Sequence, residues 1–165
     1  MTDAWQIERA SAKYVQGLCA AVAAVARERR YLASVEGFPL EQTRQVAQAI
    51  ADDGGVLFVV LDHDTVVGWC DVRRSGFQGF RHVGILGIGL LAEYRNRGIG
   101  PALLTHTIEA ASAVGVTRIE LEVYASNTRA LRLFERAGFV TEGVKRRARL
   151  LDGREDDVVC MALLR

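Results

Sequence analysis

The segment Arg95-Asn96-Arg97-Gly98-Ile99-Gly100 runs straight into residues 101–114, where Leu104, Ile108 and Ala111 recur at spacings of four and three. Pro101 suits a first helical turn and Gly115 a C-terminal stop, so a helix is expected here with both ends signalled. Amides at a helix start have no intrahelical acceptor, and with the helix dipole they make a ready site for an anion. Gly98 and Gly100 remove side chains that would block approach, and Arg95 and Arg97 add guanidinium forks suited to phosphate oxygens. The junction therefore reads as a phosphate-binding turn packed on a sheet, its plainer alternative being a surface turn with solvated arginines.

Two other phosphate patterns are excluded. Gly87-Ile88-Gly89-Leu90-Leu91-Ala92 matches GxGxxA on paper, but the second glycine of that pattern must open a helix, and here the glycine turn comes later. No GxxxxGK[ST] occurs.

The 165 residues are expected to form one domain, 1–165, with a single site. With 21 basic against 20 acidic residues and a net charge of +1, no global field recruits nucleic acid or an anionic membrane. Cys19, Cys70 and Cys160 are scattered and odd in number, which argues against a disulfide framework or a metal site and fits a reducing cytoplasm. The apolar run 18–26 is too short to span a bilayer and lacks a basic leader, so it reads as a buried alanine-rich helix.

The order of elements is informative. A short strand around Trp5 precedes helices at 12–29 and 39–52, then a hairpin of 56–61 and 65–72. Residues 83–91 form a strand with glycines at 84, 87 and 89, a composition that marks close approach of a ligand or of another part of the chain. Residues 119–123 alternate strictly, with Glu120 and Glu122 on one face. Ser126 or Asn127 caps a helix with a stripe of Ala130, Leu131, Phe134 and Ala137, and strands 139–150 and 154–163 meet at Asp152-Gly153. These elements give a mixed α/β sheet.

The string from Gly87 to Gly100, with Arg95, Gly98 and Gly100 at its core, strongly resembles the coenzyme A signature of the GNAT superfamily of N-acetyltransferases. The run Asn127-Thr128-Arg129-Ala130-Leu131-Arg132-Leu133-Phe134-Glu135-Arg136-Ala137-Gly138-Phe139 resembles that family's second motif. The resemblance implies a mostly antiparallel sheet of about seven strands flanked by about four helices, with strand 83–91 bulging and splaying from strand 118–124. It implies that the backbones of Ile88, Leu90 and Leu91 hold pantetheine in the gap. It likewise implies that Arg95, Asn96, Arg97, Gly98, Ile99 and Gly100 hold the pyrophosphate, and that Asn127 and Phe134 face the cofactor.

The activity implied is acetyl transfer from acetyl-CoA, without a metal, to a primary amine of a small molecule such as an amino acid or polyamine. The loop 27–38 and the last hairpin are expected to meet the acceptor. A peptide or protein N-terminus and a noncatalytic acyl-CoA-binding module are the alternatives, and a homodimer is left open. The family's usual acid, a tyrosine, falls at Phe134, which has no proton to give; Tyr124, a cysteine, water or an unassisted thiolate remain for that role. For the base, the candidates are Glu122 and Glu120, then His82 and Asp71.

Overall fold

A computed structural model describes residues 5–165. Its elements are β1 (Trp5–Arg9), α1 (Val15–Arg27), α2 (Leu40–Asp52), β2 (Val56–Asp62), β3 (Thr65–Arg74), β4 (Val83–Leu90), α3 (Ile99–Ala113), β5 (Arg118–Tyr124), α4 (Thr128–Arg136), β6 (Val140–Leu151) and β7 (Arg154–Leu164). The seven strands form one sheet in the order β1-β2-β3-β4-β5-β7-β6, antiparallel except for β4 beside β5. The expected first helix is shorter than 12–29, because a 3-10 turn at Ala12–Tyr14 precedes it and Arg29 turns left-handed with φ 58° just after it. No helix among the described residues is long and apolar enough to cross a membrane.

Alternation along the strands sorts two apolar layers. Val56, Phe58, Val60, Val67, Cys70 and Val72 pack with Ile99, Leu103, Leu104 and Ile108 of α3 and with Phe134 of α4. Leu57, Val59, Leu61, Val66 and Trp69 pack on the other face with Leu18, Ala21 and Val25 of α1 and Ile50 of α2. β2 is thus covered on both sides, which explains its unbroken apolar sequence. At Asp152 and Gly153, φ values of 52° and 72° give the left-handed pair that a type I′ hairpin requires.

The sheet opens in its middle. β4 pairs with β5 at only Val83, Gly84 and Ile85, against Arg118, Ile119 and Glu120, and the strands then part. β4 itself does not bulge as expected: its ladder with β3 runs in register from Arg74 opposite Gly84 to Gly68 opposite Leu90. The opening comes from β5 leaving β4 after three rungs, while β3 holds β4 straight.

Candidate active site

The turn before α3 is shaped as a cradle. Asn96 and Gly98 are left-handed, with φ of 60° and 78°, and Gly98 caps the helix with its carbonyl 3.4 Å from the Ala102 amide. Ile99 and Gly100 therefore offer their N–H groups outward, while Pro101 has none to offer. A side chain at Gly98 would point into open space, so the cradle is lined by backbone. The Ile99 side chain is fully buried in the core, which leaves only its backbone for a ligand.

Arg95 departs from its expected role. Its Nε and Nη2 donate to the Leu90 carbonyl at 3.0 and 2.8 Å, its Nη1 reaches Glu28 Oε2 at 2.8 Å, and Nη2 also pairs with Glu28. The guanidinium lies over the Tyr31 ring at 4.8 Å, with the side chain only 14% exposed. A fork so committed fastens the end of β4 to the end of α1 instead of reaching for phosphate. Hydrogen bonding by Glu28 holds Arg95 firmly protonated.

A cavity of about 120 Å³ follows the opened edge of β4 and is lined by Ile88, Gly89, Leu90, Arg95, Gly100, Asn127 and Leu133 among others. The Leu91 N–H donates to Val67 O at 2.9 Å, so Leu91 faces β3. By the alternation of an antiparallel strand, Ile88 and Leu90 turn their backbone groups to the gap. Of the three residues expected to hold pantetheine by their backbones, Ile88 is open to do so and Leu90 keeps its N–H, whereas the Leu90 carbonyl and the Leu91 amide are already bonded. Asn127 Oδ1 caps α4 by accepting from the Ala130 N–H at 3.2 Å, and the residue also lines the cavity. Phe134 does not line it: the ring is 4% exposed and packs edge-on to Phe139 at 5.7 Å, because the apolar face of α4 turns into the core.

On the face covered by α1 and α2 lies a larger cavity of about 460 Å³. The loop after α1 lines it through Leu32, Ala33, Ser34 and Phe38, and its floor carries Trp69, Asp71 and Arg73 of β3. Ile88 lines both cavities, so they meet at that residue. The β4 glycines make room for this floor. A Cβ at Gly87 would stand 2.9 Å from Asp71 Oδ1, and one at Gly89 would fall inside the Trp69 indole.

Asp71 is buried, and burial raises its carboxyl to about 6, against the lowering effect of Arg73. Arg73 Nε lies 3.1 Å from Oδ2 but is not aimed along a hydrogen bond, so the contact is an ion pair and Oδ2 keeps no hydrogen-bond donor among the described residues. A carboxylate short of donors and of water is a stronger proton acceptor than an exposed one.

The other candidates are placed differently. Glu120 accepts from Arg118 Nε at 2.7 Å, and Arg118 also grips Glu142, which lowers the Glu142 carboxyl. Glu122 is exposed, ion-paired with Lys145, and 4.0 Å from the Cys160 sulfur. Both glutamates line a neighbouring groove that shares Arg73 with the cavity above Asp71. His82 stands before β4 at the paired end, its carbonyl accepting from the Thr117 and Arg118 amides at 3.0 and 3.1 Å. Six residue steps along the strand, about 20 Å, separate it from Ile88, which removes it from the cavity along β4. Tyr124 ends β5 with the Arg149 guanidinium 4.4 Å above its ring, outside the lining of the cavity along β4.

The structure also brings in residues the sequence did not single out. Tyr31 and Arg129 line the cavity along β4, and Trp69 and Arg73 flank Asp71. For Asp71 and Arg73 a signal existed: two charged residues two positions apart in a strand otherwise filled by Val66, Val67, Cys70 and Val72. Tyr31 sits in an irregular loop and carried none.

Residues 18–139 match the Acetyltransferase (GNAT) family. The chain is 31% identical over 118 residues to an L-amino acid N-acetyltransferase of Escherichia coli, covering 70% of this chain and 72% of that protein. It is 39% identical over 80 residues to the ribosomal protein bS18-alanine N-acetyltransferase of the same organism, covering 48% of this chain and about half, 53%, of that protein. The crystal structure of an acetyltransferase of the GNAT family from Streptococcus pneumoniae superimposes with a TM-score of 0.90 at 26% identity, covering 98% of this chain and 99% of that one.

Proposed function

Since this chain belongs to the Acetyltransferase (GNAT) family and is an acetyl-CoA-dependent N-acetyltransferase, we propose that its acceptor is the primary amine of a small molecule, an amino acid before a polyamine. The observation that carries this is the buried Asp71 on the floor of a cavity that meets the cofactor cavity at Ile88. Asp71 is the one acid among the residues lining that cavity, which supplies too little negative charge for a polyamine. The L-amino acid N-acetyltransferase relative supports the same choice.

In this proposal the amide cradle at Gly98, Ile99 and Gly100 holds the pyrophosphate of acetyl-CoA, and the gap beside Ile88 holds the pantetheine arm. Asp71 takes a proton from the acceptor amine, directly or through one water. The amine nitrogen then bonds to the acetyl carbonyl carbon, the carbon–sulfur bond breaks, and the thiolate leaves and takes up a proton. Tyr31, which lines the cofactor cavity, is the phenol best placed to give that proton, with Tyr124 its rival. Tyr31→Phe should then lower kcat more than Tyr124→Phe, and the reverse order in steady-state rates returns the role to Tyr124. The free cysteines Cys19, Cys70 and Cys160 suit work in a reducing cytoplasm.

Thiol release from acetyl-CoA, measured with a panel of amino acids, polyamines and short peptides, tests the acceptor. Turnover of amino acids above the acceptor-free rate is expected. Turnover of peptides alone assigns the chain to N-terminal acetylation, and tight CoA binding with no turnover anywhere makes it a binding module. Gly98→Val should weaken acetyl-CoA binding about 10- to 100-fold, because a β-branched residue is strained at a φ of 78° and distorts the backbone of the cradle. Unchanged affinity by calorimetry would remove the pyrophosphate from this turn.

A further inference from the structure

Resting on the assignment of the cavity above Asp71 to the acceptor, we infer that Arg73 is its specificity residue, gripping a carboxylate, and that the acceptor class is the free apolar α-amino acid. Trp69, Asp71 and Arg73 alternate along β3 and so project from one face of the strand. They set an apolar wall, an anion and a cation side by side, with Arg73 Nε and Asp71 Oδ2 3.1 Å apart. An α-amino acid carries the complementary set on a single carbon: an amine for Asp71, a carboxylate for Arg73, and a side chain for the wall.

The guanidinium is available for this. The Arg73 side chain is 53% exposed, and its terminal nitrogens make no hydrogen bond among the described residues. The two glutamates of the adjoining groove do not claim it, since Glu120 is held by Arg118 and Glu122 by Lys145. A planar fork with free N–H groups matches a carboxylate in bidentate geometry, which an ammonium could not. Leu32, Phe38, Val46, Leu57 and Trp69 supply the apolar walls, and about 460 Å³ accommodates a side chain of leucine, methionine or phenylalanine size.

The same geometry disfavours the rival acceptors. A polyamine would bring a second cation towards Arg73. A peptide N-terminus has an amide where the carboxylate should be, which leaves the fork without its anion. A carboxylate on Arg73 also draws the guanidinium from Asp71, so the base strengthens as the acceptor seats.

The test measures binding and turnover together. Leucine, leucinamide, spermidine and an alanyl tripeptide are assayed with acetyl-CoA, and leucine is titrated calorimetrically into CoA-loaded protein, using wild type, Arg73→Met and Arg73→Lys. Leucine should exceed leucinamide in kcat/KM by roughly 10- to 100-fold, the value of a charge-assisted pair of hydrogen bonds. Arg73→Met should erase that difference by raising the KM for leucine while the KM for leucinamide holds, and Arg73→Lys should restore part of it. Equal rates for leucine and leucinamide in the wild type, or equal loss for both in Arg73→Met, overturns the inference. Acetylation of spermidine or the tripeptide while leucine neither binds nor reacts overturns it too, yet leaves amine acetylation standing. Leucine binding that depends on Arg73 without turnover upholds the recognition and overturns the catalytic assignment instead.

Discussion

Asp71 on β3 and the pair Glu120 and Glu122 on β5 project from the same face of one sheet, but their surroundings differ in kind. α1, α2 and the loop between them roof Asp71, whose single cation, Arg73, is not aligned for a hydrogen bond. No such roof shields the glutamates, whose side chains are 42% and 56% exposed, each with its own cation. Burial without full compensation makes a carboxylate basic, while solvent and cations keep it a weak base. The three are chemically alike, and the proposal that Asp71 is the base rests on this difference in environment.

Asp71→Asn should cut kcat/KM by about 10²- to 10⁴-fold, the usual contribution of a general base. The same change should stabilise the fold. A carboxyl raised from 3.8 to about 6 favours the folded state when protonated, so its stabilising contribution is full below about 4 and is lost as pH rises through 6. Above that, the buried charge costs on the order of 1–3 kcal/mol that asparagine avoids, several degrees in Tm for a chain of this size. A variant that is both inactive and less stable would assign Asp71 to structure alone. At the small end, Glu120→Gln and Glu122→Gln should change rates by about twofold or less and stability by about 0.5 kcal/mol or less, as exposed ion pairs do. A hundredfold loss from either would move the base to β5.

Much of this was legible in the sequence. The glycine turn, the capped helix after it and the strictly alternating β5 are set by local chemistry, and they appear where periodicity puts them. Arg95 was less legible, since its partner Glu28 lies 67 residues away and only the packing of α1 against the end of β4 joins them. The glycines of β4 announced a close approach, but Asp71 and Trp69 of the neighbouring strand are what they admit. Asp71 stood last among the candidate bases, because a lone aspartate near a strand end looks solvated until two distant helices cover it. Phe134 at the place of the family's tyrosine was visible at once, whereas the position of Tyr31 beside the cavity depends on where its loop folds back.

The pH dependence of kcat/KM with a saturating acyl donor, compared between the wild type and Asp71→Asn, decides whether Asp71 is the base. With Asp71 as base, the wild-type rate climbs with pH through a limb near 6 as Asp71 ionises, and the residual rate of the variant lacks that limb. The same limb retained in Asp71→Asn would contradict it and place the base on another residue.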